Sequence, residues 1–338
     1  MELPVSRARL ARHRKLEPTS MIVDTNTRCW SSPNQLGPQA AAVIRRSNGE
    51  HWLRGDHGPD ALIDQMECVD IAMVHGFRSQ MLEANIPNEF IAQLVSRHPD
   101  RLIGIAGIDP LAPESERELE RALELGLSGI SIAPSMQGLH PTHSSAMRIY
   151  EACEAKNMPV MVSRPEIGIP QSVLEFDRPL AWDEVARTFP NLKIVISGVG
   201  FPWVDETLLL LQKHENVFAD MSFLTRNPWA TWNALLNAQA LGESTTNIMD
   251  RLLFASGWPA QSPAEAIERL YSLNAFSQGS NLPSIPRSTI HSIIERDTLK
   301  VLGIERSPAS GNSIAQSDPT LGSTPQMSPS DRPQSLNN

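Results

Sequence analysis

Polar side chains that could do chemistry stand at the ends of short apolar runs in this 338-residue chain. Asn26 and Arg28 come after the first run, and Ser163 and Arg164 lie at the end of the fifth. A guanidinium carries a permanent charge and offers a planar fork of donors to a carboxylate or phosphate. The sequence therefore predicts an anion-binding site built on Asn26 and Arg28, extended by Arg164, Ser163 and His75.

A second interpretation of Arg28 is purely structural. A buried guanidinium needs a charged or hydrogen-bonding partner, and the sequence offers Asp24, Glu166 and Asp220 for an internal ion pair. Both interpretations stay open at the level of the sequence, because side-chain directions at a strand end are not encoded in the spacing alone.

Histidines provide a different chemistry. Five of them fall at run ends or in the segments that follow: His51, His57, His75, His140 and His143. Imidazole is a common metal ligand, so these five are the candidates for a metal site. Covalent chemistry has weaker support, because Ser163, Ser197 and Ser256 lack the Gly-x-Ser-x-Gly pattern of a nucleophile elbow. Arg28 would lower the pKa of its neighbour Cys29, but we favour a structural thiol over a Cys29–His nucleophile pair.

Eight short apolar runs alternate with longer amphipathic segments, and their Val and Ile content is typical of parallel strands buried on both faces. This alternation predicts a closed TIM-type (β/α)8 barrel, with strands near residues 21–24, 71–75, 102–109, 129–133, 160–163, 193–197, 217–222 and 252–256. Ile290, Ile293, Ile294 and Leu299 predict the apolar stripe of one final helix.

Composition and charge set the class of protein. We expect a barrel domain at residues 21–305, with Met1 or Met21 as its natural start, between a basic extension at 1–20 and a disordered Ser/Pro/Gln-rich tail at 306–338. The net charge of −9 argues against a nucleic-acid binder. The chain has no membrane-length apolar run and only three cysteines, none in a CxxC pair, so we expect a cytoplasmic protein.

The phrases at several strand ends resemble those of the amidohydrolase-related family. Residues 191–203 are similar to its strand-six signature and residues 251–259 to its strand-eight signature, and 66–74 and 97–109 also resemble family segments. The resemblance spans nearly all of 21–304. It implies a metal-dependent-hydrolase barrel, in a family of hydrolases and nonoxidative decarboxylases that includes aminocarboxymuconate-semialdehyde and resorcylate decarboxylases.

The resemblance also locates five missing metal ligands. The family has His-x-His where this chain has Asn26 and Arg28, single histidines at Ser163 and Gly198, and an Asp at Gly257. Glycine has no side chain to ligate, arginine is cationic, and Ser or Asn oxygens alone bind Zn²⁺ poorly. The resemblance therefore implies a barrel that has kept its scaffold and lost its metal chemistry.

We accordingly expect a metal-free pseudoenzyme without cofactors, which binds a small organic anion at the C-terminal barrel mouth beside Trp258. The alternative is an active hydrolase or carboxy-lyase on a small carboxylic acid, using metal-free chemistry or a relocated metal. In that case Arg28 would hold the carboxylate while His75 or Asp220 moved protons. The expected protein partner is a second copy of the chain or an active paralogue.

Overall fold

The computed structural model describes residues 21–42, 58–164, 169–242 and 247–305. Within these ranges eight parallel strands pair in chain order: β1 (Val23–Thr27), β2 (Ile71–His75), β3 (Leu102–Gly107), β4 (Ile130–Ile132), β5 (Val160–Val162), β6 (Ile194–Ile196), β7 (Val217–Asp220) and β8 (Leu252–Leu253). Each of the eight predicted runs overlaps one strand, so the (β/α)8 prediction is confirmed. The proposed extension at 1–20 and tail at 306–338 lie outside the described residues.

The barrel is closed by the segment that follows β8. Thr27 forms a parallel bridge with Trp258, and the Thr25 amide donates to the Phe254 carbonyl at 3.1 Å. These bonds join the last strand to the first, and closure leaves no long sheet edge exposed. The carboxyl ends of all eight strands therefore surround a single mouth.

Helices follow the strands along the chain, and three of them come after β8: α1 (Pro59–Gln65), α2 (Asn88–Arg97), α3 (Ser115–Glu124), α4 (Pro134–Gln137), α5 (Ser144–Ala155), α6 (Asp183–Thr188), α7 (Val204–Lys213), α8 (Pro228–Gly242), α9 (Pro263–Tyr271), α10 (Arg287–Ile294) and α11 (Thr298–Leu302). A hairpin of Phe77–Ser79 and Ala84–Ile86 follows β2 and was not predicted. None of the helices in the described ranges combines the length and apolar content needed to cross a membrane.

The prediction of one final helix is wrong. Ile290, Ile293 and Ile294 lie on α10, which ends at Ile294, while Leu299 lies on the separate helix α11. The break occurs because the Asp297 side chain accepts a hydrogen bond from the Lys300 amide and so starts a new helix as its N-cap.

The barrel interior holds its own apolar cluster. Side chains from seven strands take part, and α11 and the residues after it add three more: Val23, Ile71, Met73, Ile103, Ile105, Met161, Val195, Phe218, Leu253, Leu299, Leu302 and Ile304. Full burial of one such side chain contributes about 1.5–3 kcal/mol. Since Val23 and Ile71 start their strands, α11 packs at the amino-terminal end, which leaves the polar residues to the opposite end.

Candidate functional site

A bulge in β1 directs its polar residues into the mouth. Asp24 pairs with Ala72 and Thr27 pairs with Val74, so three residue steps in β1 face two in β2. An extra residue on one strand shifts the alternation of its side chains. Val23, before the bulge, points into the barrel and belongs to the interior cluster. Because of the extra residue, Asn26, three residues later, also points inward and contacts the end of β6.

Asn26 lies at the centre of a buried polar network. Its Nδ2 donates to Ser197 Oγ at 2.7 Å, to Ser222 Oγ at 3.2 Å and to Asp220 Oδ2 at 3.4 Å. The two serine hydroxyls are 2.9 Å apart and share a further hydrogen bond. The network joins the ends of β1, β6 and β7, so the side-chain amide of Asn26 already donates to protein groups.

Asp220 accepts several hydrogen bonds in this network. Its Oδ1 accepts hydrogen bonds from the main-chain amides of Gly198 at 3.0 Å and Ser222 at 2.9 Å. The Ser222 hydroxyl donates to the same oxygen. Burial raises the pKa of Asp220 above its usual value, while these donors and Asn26 act in the opposite direction. Charge-assisted bonds of this kind hold a carboxylate in place.

Arg28 lies beside this network. Its Nη2 donates to Ser163 Oγ at 2.5 Å, and Ser163 is 2.8 Å from the Ser131 hydroxyl. The guanidinium carbon is 5.7 Å from the centroid of the Phe77 ring, within the range of a cation–π contact. Arg28 Nε is buried and has no hydrogen-bond partner among the described residues.

Arg28 remains positively charged although its guanidinium is buried. Desolvation lowers the pKa of Arg28 to about 10, and the charge of Asp220 acts in the opposite direction. At neutral pH the guanidinium therefore remains protonated. Of the three acids proposed as ion-pair partners, Asp220 interacts electrostatically with Arg28, and Glu166 lies outside the described residues.

His75 is neutral and its tautomer follows from its contacts. Its Nε2 lies 2.8 Å from the Thr25 carbonyl oxygen, which can only accept, so Nε2 carries the proton. Burial, followed by the charge of Arg28, lowers the pKa of His75 to about 3. Nδ1 is therefore a lone-pair acceptor, and it is buried without a partner in the described structure.

The buried carboxylate of Asp24 connects β1 to the segment that follows β8. Its Oδ1 accepts the Ser256 amide at 2.9 Å and the Asn26 amide at 3.3 Å, which ties β1 to the segment after β8. Burial raises the pKa of Asp24 to about 7, against the effect of its hydrogen bonds with Ser256 and Asn26. Its Oδ2 is buried, and no described group bonds to it.

The positions of the missing strand-six and strand-eight ligands have no room for a side chain. Gly198 has φ 61° and Gly257 has φ 77°, a region that favours glycine. A Cβ on Gly198 would lie 2.9 Å from the Ser222 carbonyl oxygen, and a Cβ on Gly257 would lie 2.5 Å from the Phe223 ring. Neither position can take the family's ligand without local rearrangement.

The remaining residues of the mouth do not fit a metal ion. Asn26, Ser163 and the cationic Arg28 stand at three positions where the resemblance implies metal ligands, and a fixed guanidinium charge repels a second cation. Across the ranges that the structure describes, no group of three or more His, Cys, Asp or Glu side chains is placed to hold a metal ion.

Three of the five histidines of the relocated-metal hypothesis, His75, His140 and His143, lie in the described residues, and they form no metal-binding group there. His140 Nδ1 lies 2.8 Å from Thr142 Oγ1, and His143 caps α5, where Nδ1 accepts the Ser145 amide at 3.2 Å. Both rings are exposed. His51 and His57 lie outside the described residues, so this hypothesis stays open for them.

Arg164 turns to another part of the mouth. It donates to the Phe201 carbonyl, and its guanidinium carbon is 5.5 Å from the centroid of a Trp203 ring. Burial lowers the pKa of Arg164, opposed by the charge of Asp177. Trp258 contributes a main-chain carbonyl that accepts the Arg28 amide at 2.9 Å.

Two further findings correct or extend the sequence analysis. The structure supports the structural thiol favoured for Cys29 over a nucleophile, because the thiol is buried and burial raises its pKa to about 12. The structure adds Phe77, Ser131 and Phe223 to the mouth. Ser131 lies inside β4 and not at its end, so the strand-end pattern did not point to it, and no local pattern pointed to the two aromatic residues.

The eight parallel strands, closed in chain order with polar residues at their carboxyl ends, define a (β/α)8-barrel protein. The chain belongs to the amidohydrolase family, whose model matches residues 45–280. A 2-amino-3-carboxymuconate-6-semialdehyde decarboxylase from Dictyostelium discoideum is 30% identical over 135 residues. That match covers 34% of this chain and only 38% of the relative.

Solved structures share the fold at low sequence identity. An uncharacterised TIM-barrel protein from Bordetella bronchiseptica has a TM-score of 0.64 and 18% identity, covering 84% of this chain and 98% of that one. A dihydroxybenzoic acid decarboxylase from Polaromonas sp. JS666, solved with bound manganese and 2-nitroresorcinol, has a TM-score of 0.59 and 15% identity, covering 85% and 98%. A 5-carboxyvanillate decarboxylase from Sphingomonas paucimobilis has a TM-score of 0.59 and 14% identity, covering 85% and 100%.

Proposed function

We propose that this protein is a metal-free member of the amidohydrolase family that binds a small organic carboxylate at Arg28. The observation that carries the proposal is the charged guanidinium in the barrel mouth, with a buried Nε that has no partner among the described residues. An unmade hydrogen bond on a buried donor costs about 1–3 kcal/mol. A carboxylate oxygen would satisfy that donor and neutralise the charge.

The neighbours of Arg28 support an anionic ligand. Ser163 holds one arm of the guanidinium and Phe77 lies against its face, so the fork is fixed before a ligand arrives and less side-chain entropy is lost on binding. Asp220 has its oxygens engaged by Gly198, Ser222 and Asn26. Arg28 therefore retains capacity for a second negative charge.

The test is isothermal titration calorimetry in a buffer free of carboxylate and phosphate, with benzoate and propionate as probes and neutral benzamide as the uncharged comparison. Arg28→Gln removes the charge, and Arg28→Lys keeps the charge but removes the fork. The matched control is Arg148→Gln, which removes an arginine of the exposed Arg148–Glu116 ion pair on the outside of the barrel.

A hydrogen bond to a charged group contributes about 1.5–3 kcal/mol, so we expect Arg28→Gln to weaken carboxylate binding by roughly 10- to 150-fold. Arg28→Lys should fall between this variant and the unmodified protein, and Arg148→Gln should bind normally. Carboxylate affinity that is equal in the protein and in Arg28→Gln would refute the proposal.

The second candidate is an active hydrolase or carboxy-lyase, and the observation that favours it is the decarboxylase names of the relative and of two structural neighbours. In this chain His75 is neutral at pH 7, so it could accept a proton at Nδ1 but has none to give there. A pKa of about 3 makes it a weak base. Release of CO₂ from a panel of aromatic and dicarboxylic acids, lost in Arg28→Gln, would establish this alternative in place of simple binding.

A further inference from the structure

Two serine hydroxyls lie one above the other in the barrel interior. Ser131 on β4 pairs with Met161 on β5, and paired residues of neighbouring parallel strands point to the same side of the sheet. Met161 belongs to the interior apolar cluster, so Ser131 also points inward. Ser163 follows Met161 by two residues and points inward one step nearer the mouth. The two hydroxyl oxygens are 2.8 Å apart, and both side chains are buried.

The hydrogen-bond capacity of these two hydroxyls leaves one hydrogen over. A serine hydroxyl donates one hydrogen bond and accepts two, whereas an arginine side chain only donates. The bond from Arg28 Nη2 therefore fills one acceptor position of Ser163 Oγ. Between Ser131 and Ser163 either oxygen can be the donor, so this bond uses one of the two O–H hydrogens. Among the residues that the structure describes, no acceptor contacts the other hydrogen, since the two hydroxyls bond to each other and to Arg28 alone.

Burial decides which hydroxyl keeps that hydrogen. Ser131 lies below Ser163, level with the apolar Met161 and away from the mouth, and a buried donor without an acceptor is unfavourable. Ser131 therefore donates to Ser163. Ser163 then accepts from both Ser131 and Arg28, and its own O–H remains without a described partner at the carboxyl end of β5, where the mouth opens.

We propose that Ser163 binds the carboxylate at Arg28 directly, through this O–H, and that Ser131 is the positioning residue that holds the O–H in that direction. The inference rests on the function proposed for Arg28. The groups left without a partner in the described structure, Arg28 Nε and the Ser163 O–H, are both donors, so the bound group must be an acceptor. An ionised carboxylate has acceptor oxygens and no donor, whereas a carboxamide of the same shape presents two N–H donors.

The experiment measures the affinity for benzoate by calorimetry on the full chain, in Ser163→Ala, Ser131→Ala and the double variant. Ser96→Ala is the matched control, because it removes an exposed serine hydroxyl on α2. Ser163→Cys keeps the shape of the side chain and only a weak donor, and it replaces Ser163→Ala if that variant does not unfold cooperatively on heating.

The size of each effect follows from the kind of hydrogen bond that is removed. We expect Ser163→Ala to weaken benzoate binding by roughly 10- to 150-fold, the range for a bond to a charged group. Ser131→Ala should weaken it by about 2- to 12-fold, the range for a bond between neutral groups. Added to Ser163→Ala, the Ser131→Ala change should have no further effect, because Ser131 acts through the Ser163 hydroxyl. Ser96→Ala should bind normally.

The outcomes separate this proposal from the one for Arg28. Equal affinity of the unmodified protein and Ser163→Ala overturns the role of Ser163, while carboxylate binding that depends on Arg28 would still stand. A loss for Ser131→Ala that is the same with and without the Ser163 hydroxyl overturns the positioning role of Ser131. If benzoate does not bind the unmodified protein, the function proposed for Arg28 is overturned as well.

Discussion

The pairing of Phe223 with Gly257 predicts an unusually costly glycine substitution. Gly257 and Gly279 both have φ +77°, so alanine meets the same backbone strain at both positions. They differ in space, because a Cβ at Gly257 meets the Phe223 ring at 2.5 Å, whereas a Cβ at Gly279 meets no described atom within 4 Å. The comparison of Gly257→Ala with Gly279→Ala therefore isolates the effect of the ring.

The magnitudes follow from two separate contributions. A left-handed backbone at a non-glycine residue costs about 1–2 kcal/mol, which is the whole effect expected for Gly279→Ala. Overpacking a filled site costs about 1–3 kcal/mol more, so Gly257→Ala should lower the free energy of unfolding by roughly 2–5 kcal/mol. Gly257→Asp should cost at least as much, because it also places a carboxylate against an aromatic ring.

The assay is equilibrium unfolding in urea, with Phe223→Ala and the double variant Phe223→Ala/Gly257→Ala completing a double-mutant cycle. We expect a coupling free energy of about 1–3 kcal/mol that favours the double variant, because removal of the ring makes room for the new methyl group. Equal losses for Gly257→Ala and Gly279→Ala, or a coupling near zero, would show that the ring does not fill this space.

Two further predictions concern Asp24 and the metal. Asp24 has a folded-state pKa of about 7 against an ordinary value of 3.8, so the folded protein holds a proton that the unfolded chain releases. Stability from this group is present below about pH 4 and is lost as pH rises through 7, by at most roughly 4 kcal/mol. Urea unfolding of Asp24→Asn should therefore depend less on pH than that of the unmodified protein, and parallel profiles would contradict this. For the metal, elemental mass spectrometry on protein purified without chelator or affinity tag should find well under one equivalent of Zn²⁺, Mn²⁺ or Fe²⁺, and a full equivalent would reopen the hypothesis of a relocated site that includes His51 and His57.

Much of the scaffold was predictable because burial leaves a local signal. Strands buried on both faces read as short runs rich in Val and Ile, and each run in this chain overlaps one barrel strand. The exact ends of the strands were less predictable, since β1 begins at Val23 and extends to Thr27, beyond the run that indicated it. The Phe77–Ser79 hairpin was missed because a three-residue strand has too few residues to show a period.

The side-chain directions at the mouth were not predictable from spacing. The β1 bulge changes which residues face inward, and it is visible only as a register shift between Asp24 and Thr27 against β2. Arg164 follows Ser163 in the chain, yet it turns towards Phe201, while Ser163 receives the hydrogen bond of Arg28. A strand end leaves both directions open, and packing against distant residues selects one.

The sequence by itself determined the barrel and the chemical identity of the residues at its mouth. Gly198 and Gly257 have no side chain to ligate a metal and Arg28 carries a charge in any fold, because these properties belong to the residue types. Only the tertiary structure decided the contacts between residues far apart in the chain, such as the Arg28–Ser163 hydrogen bond and the Phe223 ring above Gly257. These contacts depend on strand register and close packing, which arise when the whole barrel closes and which no local pattern contains.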